Sequence, residues 1–430
     1  MRRMIMISNL DVWLLTSSNV RPGTGNQDMY NTVLGYARNG WEVHLLTDSR
    51  AVRGLPKIHD SVFCHRKPIR LLDAQQAVKR WLRSLLGEGG AARSVRPHRP
   101  APGMARYMKV FRWAMSRRGV ALARRLGPVD LVYGYEFFGA AAGRAVADAL
   151  GVPLVTRFQG TELCRWLGDP AALLADSVKA GATRTPADLV IMANDGTQGD
   201  RVLDALGVPR EKVRFWMNGV DKQDVFRPQV DAGAVRRSLG IDPGEVFILH
   251  TGRLFHWKRI DRHLEVLARV RRQFEGFRAV FIGDGPEREA VLALCTSLGL
   301  DDRVRFLGAM PHGQVMDYLN ACDIYISFYD LSNLSNSLIE SCVCGKCIVT
   351  TAVGGTGDLV TDGANAVVVP EHDDPDRIAA GLLRVLRDPG ERARLAEGAR
   401  CRGCELLTWQ ERMQMEVAEV EKVLVGRTPA

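Results

Sequence analysis

The chain has 430 residues, 46% of them hydrophobic, with 58 Lys and Arg against 49 Asp and Glu for a net charge of +9. That length predicts two domains rather than one core, and the apolar share excludes a disordered chain. No apolar run approaches the ~18 residues of a membrane-spanning helix, and nine cysteines, an odd number, point to free thiols in a reducing, cytoplasmic compartment.

The start, MRRMIMISNLDVWLL, places two arginines before an apolar run. Asn9 and Asp11 interrupt it and no small-residue cleavage pattern follows, so a buried first strand is expected there rather than a signal peptide. Strands are predicted over residues 4–7 and 43–47, flanking the helix DMYNTVLGYARNG, which Gly40 stops. VDLVYGYE is the next strand, followed by the Ala-rich helix GAAAGRAVADALG and the strands VPLVTRF and ADLVIMAN. After NGVDKQDVFRP the alternation starts again with FILHTGRL, RAVFIGDG, RVRFLGAM, DIYISFYD, CIVTTAV and AVVVP. Continuous apolar strands between helices indicate parallel sheets covered on both faces. The fold class expected is α/β, two doubly wound (Rossmann-like) domains: 1–218, and 246–407 beyond a linker at 219–245. A last helix within 408–430 is expected to pack back on the first domain. Such domains bind ligands at the carboxyl ends of their strands, here in a cleft between the two.

Charge is unevenly placed. Between Cys64 and Gly127 sixteen Lys or Arg face only Asp73 and Glu88, a local +14 that leaves −5 for the rest. Within this lobe AQQAVKRWLRSLL and ARYMKVFRWAMSRR set apolar residues (Trp81, Leu85; Tyr107, Val110, Phe111, Ala114) beside cations including Arg80, Arg83, Lys109 and Arg112. Two readings are open: helices lying in an anionic membrane surface, or a core-facing stripe with a solvated exterior. No nucleic-acid reading motif is present, and no nucleic-acid partner is expected.

Several short stretches sit at strand ends. RPGTGN puts Gly23 and Gly25 before a helix, where free amides suit a phosphate; a plain turn is the alternative. TGRLFHWK puts Arg253 and Lys258 just past a strand, as a diphosphate requires; two solvated charges are the alternative. GDGP carries Gly283, and YDLSNLSNSLIESCVCGKC carries Glu340 with cysteines at 342, 344 and 347. Those cysteines are read as small core residues, since zinc calls for paired CxxC spacing and Cys401–Cys404 lies in a separate helix.

In this order NGVD with Phe226, GRL with Lys258, GDGP, RVRFLG and ESCVCGK resemble the retaining GT-B glycosyltransferases of family four, over the whole second domain and, less fully, the first. The resemblance implies that Arg253 and Lys258 bind the pyrophosphate of a nucleotide sugar and that Glu340 binds its ribose. It further implies that amides at Gly23, Gly25 and near Ser335 assist, and that Gly283 and Met310 lie in the nucleobase region. The family's second glutamate falls at Ser332, so Asp330, Ser332, Asn333 and Asn336 are the candidates for sugar contact. Gln159 stands where many members have histidine. The expected activity is transfer of a hexose or N-acetylhexosamine to an acceptor hydroxyl with retention, from a UDP-sugar in preference to a GDP-sugar. Arg253, Lys258 and Gln159 are the expected catalytic residues; no metal or other cofactor is expected. The basic lobe suggests a lipid-linked or phospholipid acceptor and a peripheral place on the inner membrane face. A sugar-nucleotide epimerase, a sugar phosphorylase, or a catalytically silent nucleotide-sugar-binding protein are the alternatives.

Overall fold

A computed structural model describes residues 1–10, 13–15, 20–22, 27–49, 55, 57–69, 103–370 and 372–426. In the first half the apolar runs form β1 (Arg2–Ser8), β4 (Trp41–Thr47), β5 (Val62–Arg66), β6 (Leu131–Tyr135), β7 (Leu154–Phe158), β8 (Leu189–Ala193) and β9 (Val213–Trp216). A short pair, β2 (Trp13–Leu15) and β3 (Val20–Pro22), is antiparallel. The seven longer segments form one parallel sheet in the order β5-β4-β1-β6-β7-β8-β9. The second half supplies β10 (Val246–Thr251), β11 (Phe277–Ile282), β12 (Val304–Gly308), β13 (Ile324–Ser327), β14 (Cys347–Thr351) and β15 (Val367–Val369), parallel in the order β12-β11-β10-β13-β14-β15. Alternation along β10 shows why both faces are covered. Val246 and Ile248 enter one buried cluster, Phe247 and Leu249 the other.

The chain divides into two compact units, Met1–Ala193 with Gly199–Trp216 and Met413–Ala430, and Asn194–Gln198 with Met217–Arg412. The stretch 219–245, expected as a linker, carries the helices Lys222–Val225 and Ala232–Ser238 and buries Val225, Leu239 and Ile241 in the core of the second unit. The last helix, Trp409–Val425, gives its first turn to the second unit and the rest to the first. There Glu416 is buried, accepting hydrogen bonds from Tyr133 Oη (2.6 Å), Tyr36 Oη (3.2 Å) and the Arg157 guanidinium. Among the described residues no helix is long and apolar enough to cross a membrane.

The basic lobe is described only in part. AQQAVKRWLRSLL, with Arg80 and Arg83, lies outside the described residues. The helix Met104–Leu126 turns Phe111, Ala114, Met115, Leu122 and Ala123 into the first unit's core, with Tyr107 and Val110 packed alongside. Its apolar face is therefore occupied by the protein itself, which corrects the membrane-lying reading for this helix. What it leaves outside is a cationic stripe of Arg106, Lys109, Arg112, Arg117 and Arg124 around the exposed Trp113.

Candidate functional site

In the second unit the strand order reverses between β10 and β13, the switch point at which doubly wound sheets open a crevice beyond their carboxyl ends. Two loops leave from there, 252–259 after β10 and 328–335 after β13, and they hold Arg253, Lys258, Asp330, Ser332, Asn333 and Ser335. The first is set by glycines at close backbone approach: a Cβ on Gly283 would lie 1.8 Å from the Gly252 carbonyl oxygen. The GDGP glycine therefore serves the packing of adjacent strand ends.

Arg253 is exposed, its guanidinium 4.5 Å from the centre of the Phe255 ring. Lys258 ends the short 3₁₀ turn His256–Lys258 and is only 8% exposed. Its Nζ lies 3.7 Å from the ring centre of Tyr329 and 4.3 Å from that of Trp257. Among the described residues neither cation has an ion-pair partner. Burial pushes the Lys258 ammonium down to about 7; Asp195 pulls it back up, and Arg253 adds to the depression. Asp195 comes from the loop Asn194–Gln198, which belongs to the second unit although it follows β8 of the first. Its Oδ1 accepts from Thr197 N (3.0 Å) and Thr197 Oγ1 (2.5 Å), and burial pushes its carboxyl up to about 6.

The second loop is held from inside. Asn333 is fully buried; its Oδ1 accepts from Tyr329 N (3.0 Å) and its Nδ2 donates to Thr351 O (2.8 Å) and Oγ1 (3.0 Å). This side chain is committed to the loop, a correction to its expected contact with the donor. Ser332 is buried too, with Oγ accepting from Leu334 N at 3.0 Å. A Cβ on Gly196 (φ 77°) would sit 1.9 Å from that Oγ. Asp330 Oδ1 accepts from Arg262 Nη2 (2.8 Å) and Arg259 Nη1 (3.1 Å), so its charge is already paired. Arg259 has φ 48°, the left-handed region, immediately after Lys258.

Ser335 caps the helix Asn336–Val343, its Oγ accepting from Leu338 N at 3.4 Å. Asn336 opens that helix half-buried. Glu340 on the same helix is buried and holds His312 Nε2 at 2.8 Å, a bond that raises the His312 imidazole above its ordinary value. Met310 is half-buried against the same cluster that takes Cys342 and Cys344, whereas Cys347 faces the opposite cluster. Burial pushes all three thiols up to about 12. They do not converge, and among the described residues no three His, Cys, Asp or Glu side chains gather as a metal-binding group.

In the first unit Gln159 stands at the end of β7, its Nε2 donating to Tyr135 Oη at 2.7 Å and its N to Glu136 Oε1 at 2.8 Å. Gly23 and Gly25 lie outside the described residues.

Two family models match the chain: Glycosyltransferase Family 4 over residues 27–224 and Glycosyl transferases group 1 over residues 231–402. The chain belongs to the group 1 glycosyltransferases of family four. Its similarity to curated members is moderate. The D-inositol 3-phosphate glycosyltransferase of Acidothermus cellulolyticus is 30% identical over 292 residues, 64% of this chain and 63% of that protein. Less than two thirds of the length of that relative is thus spanned. Sucrose-phosphate synthase from Thermosynechococcus elongatus shares the GT-B fold with a TM-score of 0.75 at 18% identity over 100% of both chains. Anabaena HepE, solved with UDP and glucose, gives 0.67 at 18% identity over 98% of this chain and 100% of that one.

Within this glycosyltransferase the strand-end motifs of the second unit were legible, but four partners were not: Asp195, Trp257, Tyr329 and His312. NDG after a strand signals a turn; nothing in it signals a carboxylate near Lys258. PHGQ signals a helix start, without pointing to Glu340.

Proposed function

We propose that this chain transfers a hexose or N-acetylhexosamine from a UDP-sugar to an acceptor hydroxyl with retention of anomeric configuration. The observation that carries the reading is Lys258: a nearly buried ammonium at the switch point of the second sheet, without an ion-pair partner among the described residues. A buried charge is costly unless something pairs it, and a diphosphate is the partner that family membership supplies. Among the described residues Arg253 has no ion-pair partner either, and it completes a cationic pair for two phosphoryl oxygens.

In the step itself, the bond from the anomeric carbon to the β-phosphate oxygen breaks and the acceptor oxygen bonds to that carbon on the same face. The acceptor proton passes to the departing phosphate oxygen. Arg253 and Lys258 neutralise the charge that develops there, a contribution worth several kcal/mol in preorganised sites. Because these cations supply the positive charge, the reading invokes no metal ion. Glu340 exchanges part of its bond with His312 for the ribose hydroxyls. Gln159 carries no proton, since a carboxamide orients by hydrogen bonding only.

HepE, of the same fold, was solved with UDP and with UDP-glucose, which favours uridine nucleotides for the first trials. Names of the relatives put an inositol phosphate among the acceptors to test beside lipid-linked glycans and phospholipids. A cytoplasmic protein touching an anionic membrane through the stripe Arg106, Lys109, Arg112, Arg117 and Arg124 fits the basic lobe. The test is incubation with UDP- and GDP-sugars and this acceptor panel, with nuclear magnetic resonance of the product. An α-linked product from an α-linked UDP-sugar is expected. An inverted product, an epimerised donor or a sugar phosphate contradicts the reading.

A further inference from the structure

Lys258 is buried, and two aromatic rings lie against its ammonium. Its Nζ stands 3.7 Å from the centre of Tyr329 and 4.3 Å from that of Trp257, and these rings meet edge to face at 5.9 Å and 84°. Trp257 and Tyr329 come from the two switch-point loops, and those loops are fastened together. Asp330 N donates to Trp257 O (3.0 Å), and Arg259 reaches Asp330 Oδ1 (3.1 Å). Asn333 fixes the Tyr329 backbone from below. Among the described residues few charged groups act on Lys258. Asp195 acts on it from beyond ion-pair distance, Arg253 opposes it, and burial holds the neighbouring His250 and His263 neutral.

We propose that Trp257 and Tyr329 are positioning residues whose ring faces form a cation–π seat for the Lys258 ammonium, holding it toward a nucleoside diphosphate without neutralising it. A carboxylate in their place would pair the charge and compete with phosphate. Aromatic faces attract a cation through the ring quadrupole without pairing it with a counter-charge, so the positive charge stays available to phosphoryl oxygens. The inference rests on the reading of Lys258 as a diphosphate ligand, and it assigns two residues that no motif marks.

UDP binding to the full chain, measured by calorimetry with GDP as the second probe, tests it. Phe and then mono-, di- and trifluorinated phenylalanines are placed at 329, a series that weakens the ring quadrupole at nearly constant shape. Tyr329→Phe should bind within about twofold of wild type, and affinity should fall stepwise with fluorination to about tenfold weaker. Trp257→Leu, at a half-buried loop position, should weaken binding by a similar factor. Lys258→Met sets the floor. If Lys258→Met loses UDP while the fluorinated series and Trp257→Leu bind as wild type, the seat is refuted and the ligand reading stands. If Lys258→Met binds both nucleotides as wild type, or wild type binds neither, the ligand reading fails and the seat with it.

Discussion

On the proposed reading, Lys258 trades stability for binding. An unfolded lysine stays protonated to about pH 10.4, whereas burial brings this one down to about 7. Below about 7 folding must bury a charged ammonium, at a cost in free energy. As pH climbs from there toward the unfolded value, the unfolded chain binds the extra proton and that cost fades. Lys258→Met should therefore stabilise the protein by on the order of 1 kcal/mol or more at pH 6, and by less at pH 9, in denaturant titrations. Ligand affinity runs the other way, because only the charged form pairs with phosphate. UDP affinity should weaken as pH rises through about 7, and Lys258→Met should flatten that profile. The nucleotide's own phosphate is already dianionic there, with its second ionisation near 6. Arg253 and Lys258 were legible because both follow one strand within a few residues. Asp195 and Tyr329 were not, since contacts between distant loops leave no local pattern. Asn333 misled for a related reason: a polar residue in a strand-end loop looks the same whether it faces ligand or holds the loop.

Elements buried on both faces were read directly from sequence, and so were the second sheet's edges, RVRFLGAM at β12 and AVVVP at β15, whereas the first sheet's edges were not. Sheet edges β5 and β9 are largely half-exposed, so their apolar pattern is too weak to separate from loop. The helix Met104–Leu126 gave the right amphipathic period but not the surface that its apolar face meets, because core and membrane ask the same of a stripe. The last helix carries more than its apolar spacing announced. Glu416 and Arg157 form an ion pair with both side chains fully buried, and Tyr36 and Tyr133 complete it. Removing one member leaves an uncompensated buried charge. Glu416→Ala should destabilise the first unit by roughly 3–5 kcal/mol in chemical denaturation. Replacing Glu416 and Arg157 together by Met should cost much less than Glu416→Ala.

At the scale of the molecule, the same rule organises both units: a parallel sheet whose order reverses once, the arrangement that opens a crevice at the strand ends. The alternation of strands and helices made that architecture legible, while charge placement raised a separate question about where the enzyme works. Each basic residue near an anionic bilayer contributes about 1 kcal/mol. The wild type should then sediment with phosphatidylserine vesicles at low salt and be released as salt rises. Changing Arg106, Lys109, Arg112 and Arg117 to Gln should weaken sedimentation and leave turnover of a soluble acceptor intact. A wild type that stays in the supernatant at low salt makes the stripe an ordinary solvated face. The most direct test of the chemistry is turnover itself, followed as UDP released from a UDP-sugar in the presence of acceptor. Arg253→Ala and Lys258→Met should each lower it by at least about a hundredfold, roughly 2.7 kcal/mol, with the fold intact. Near-normal turnover in either variant would contradict the role assigned to that cation.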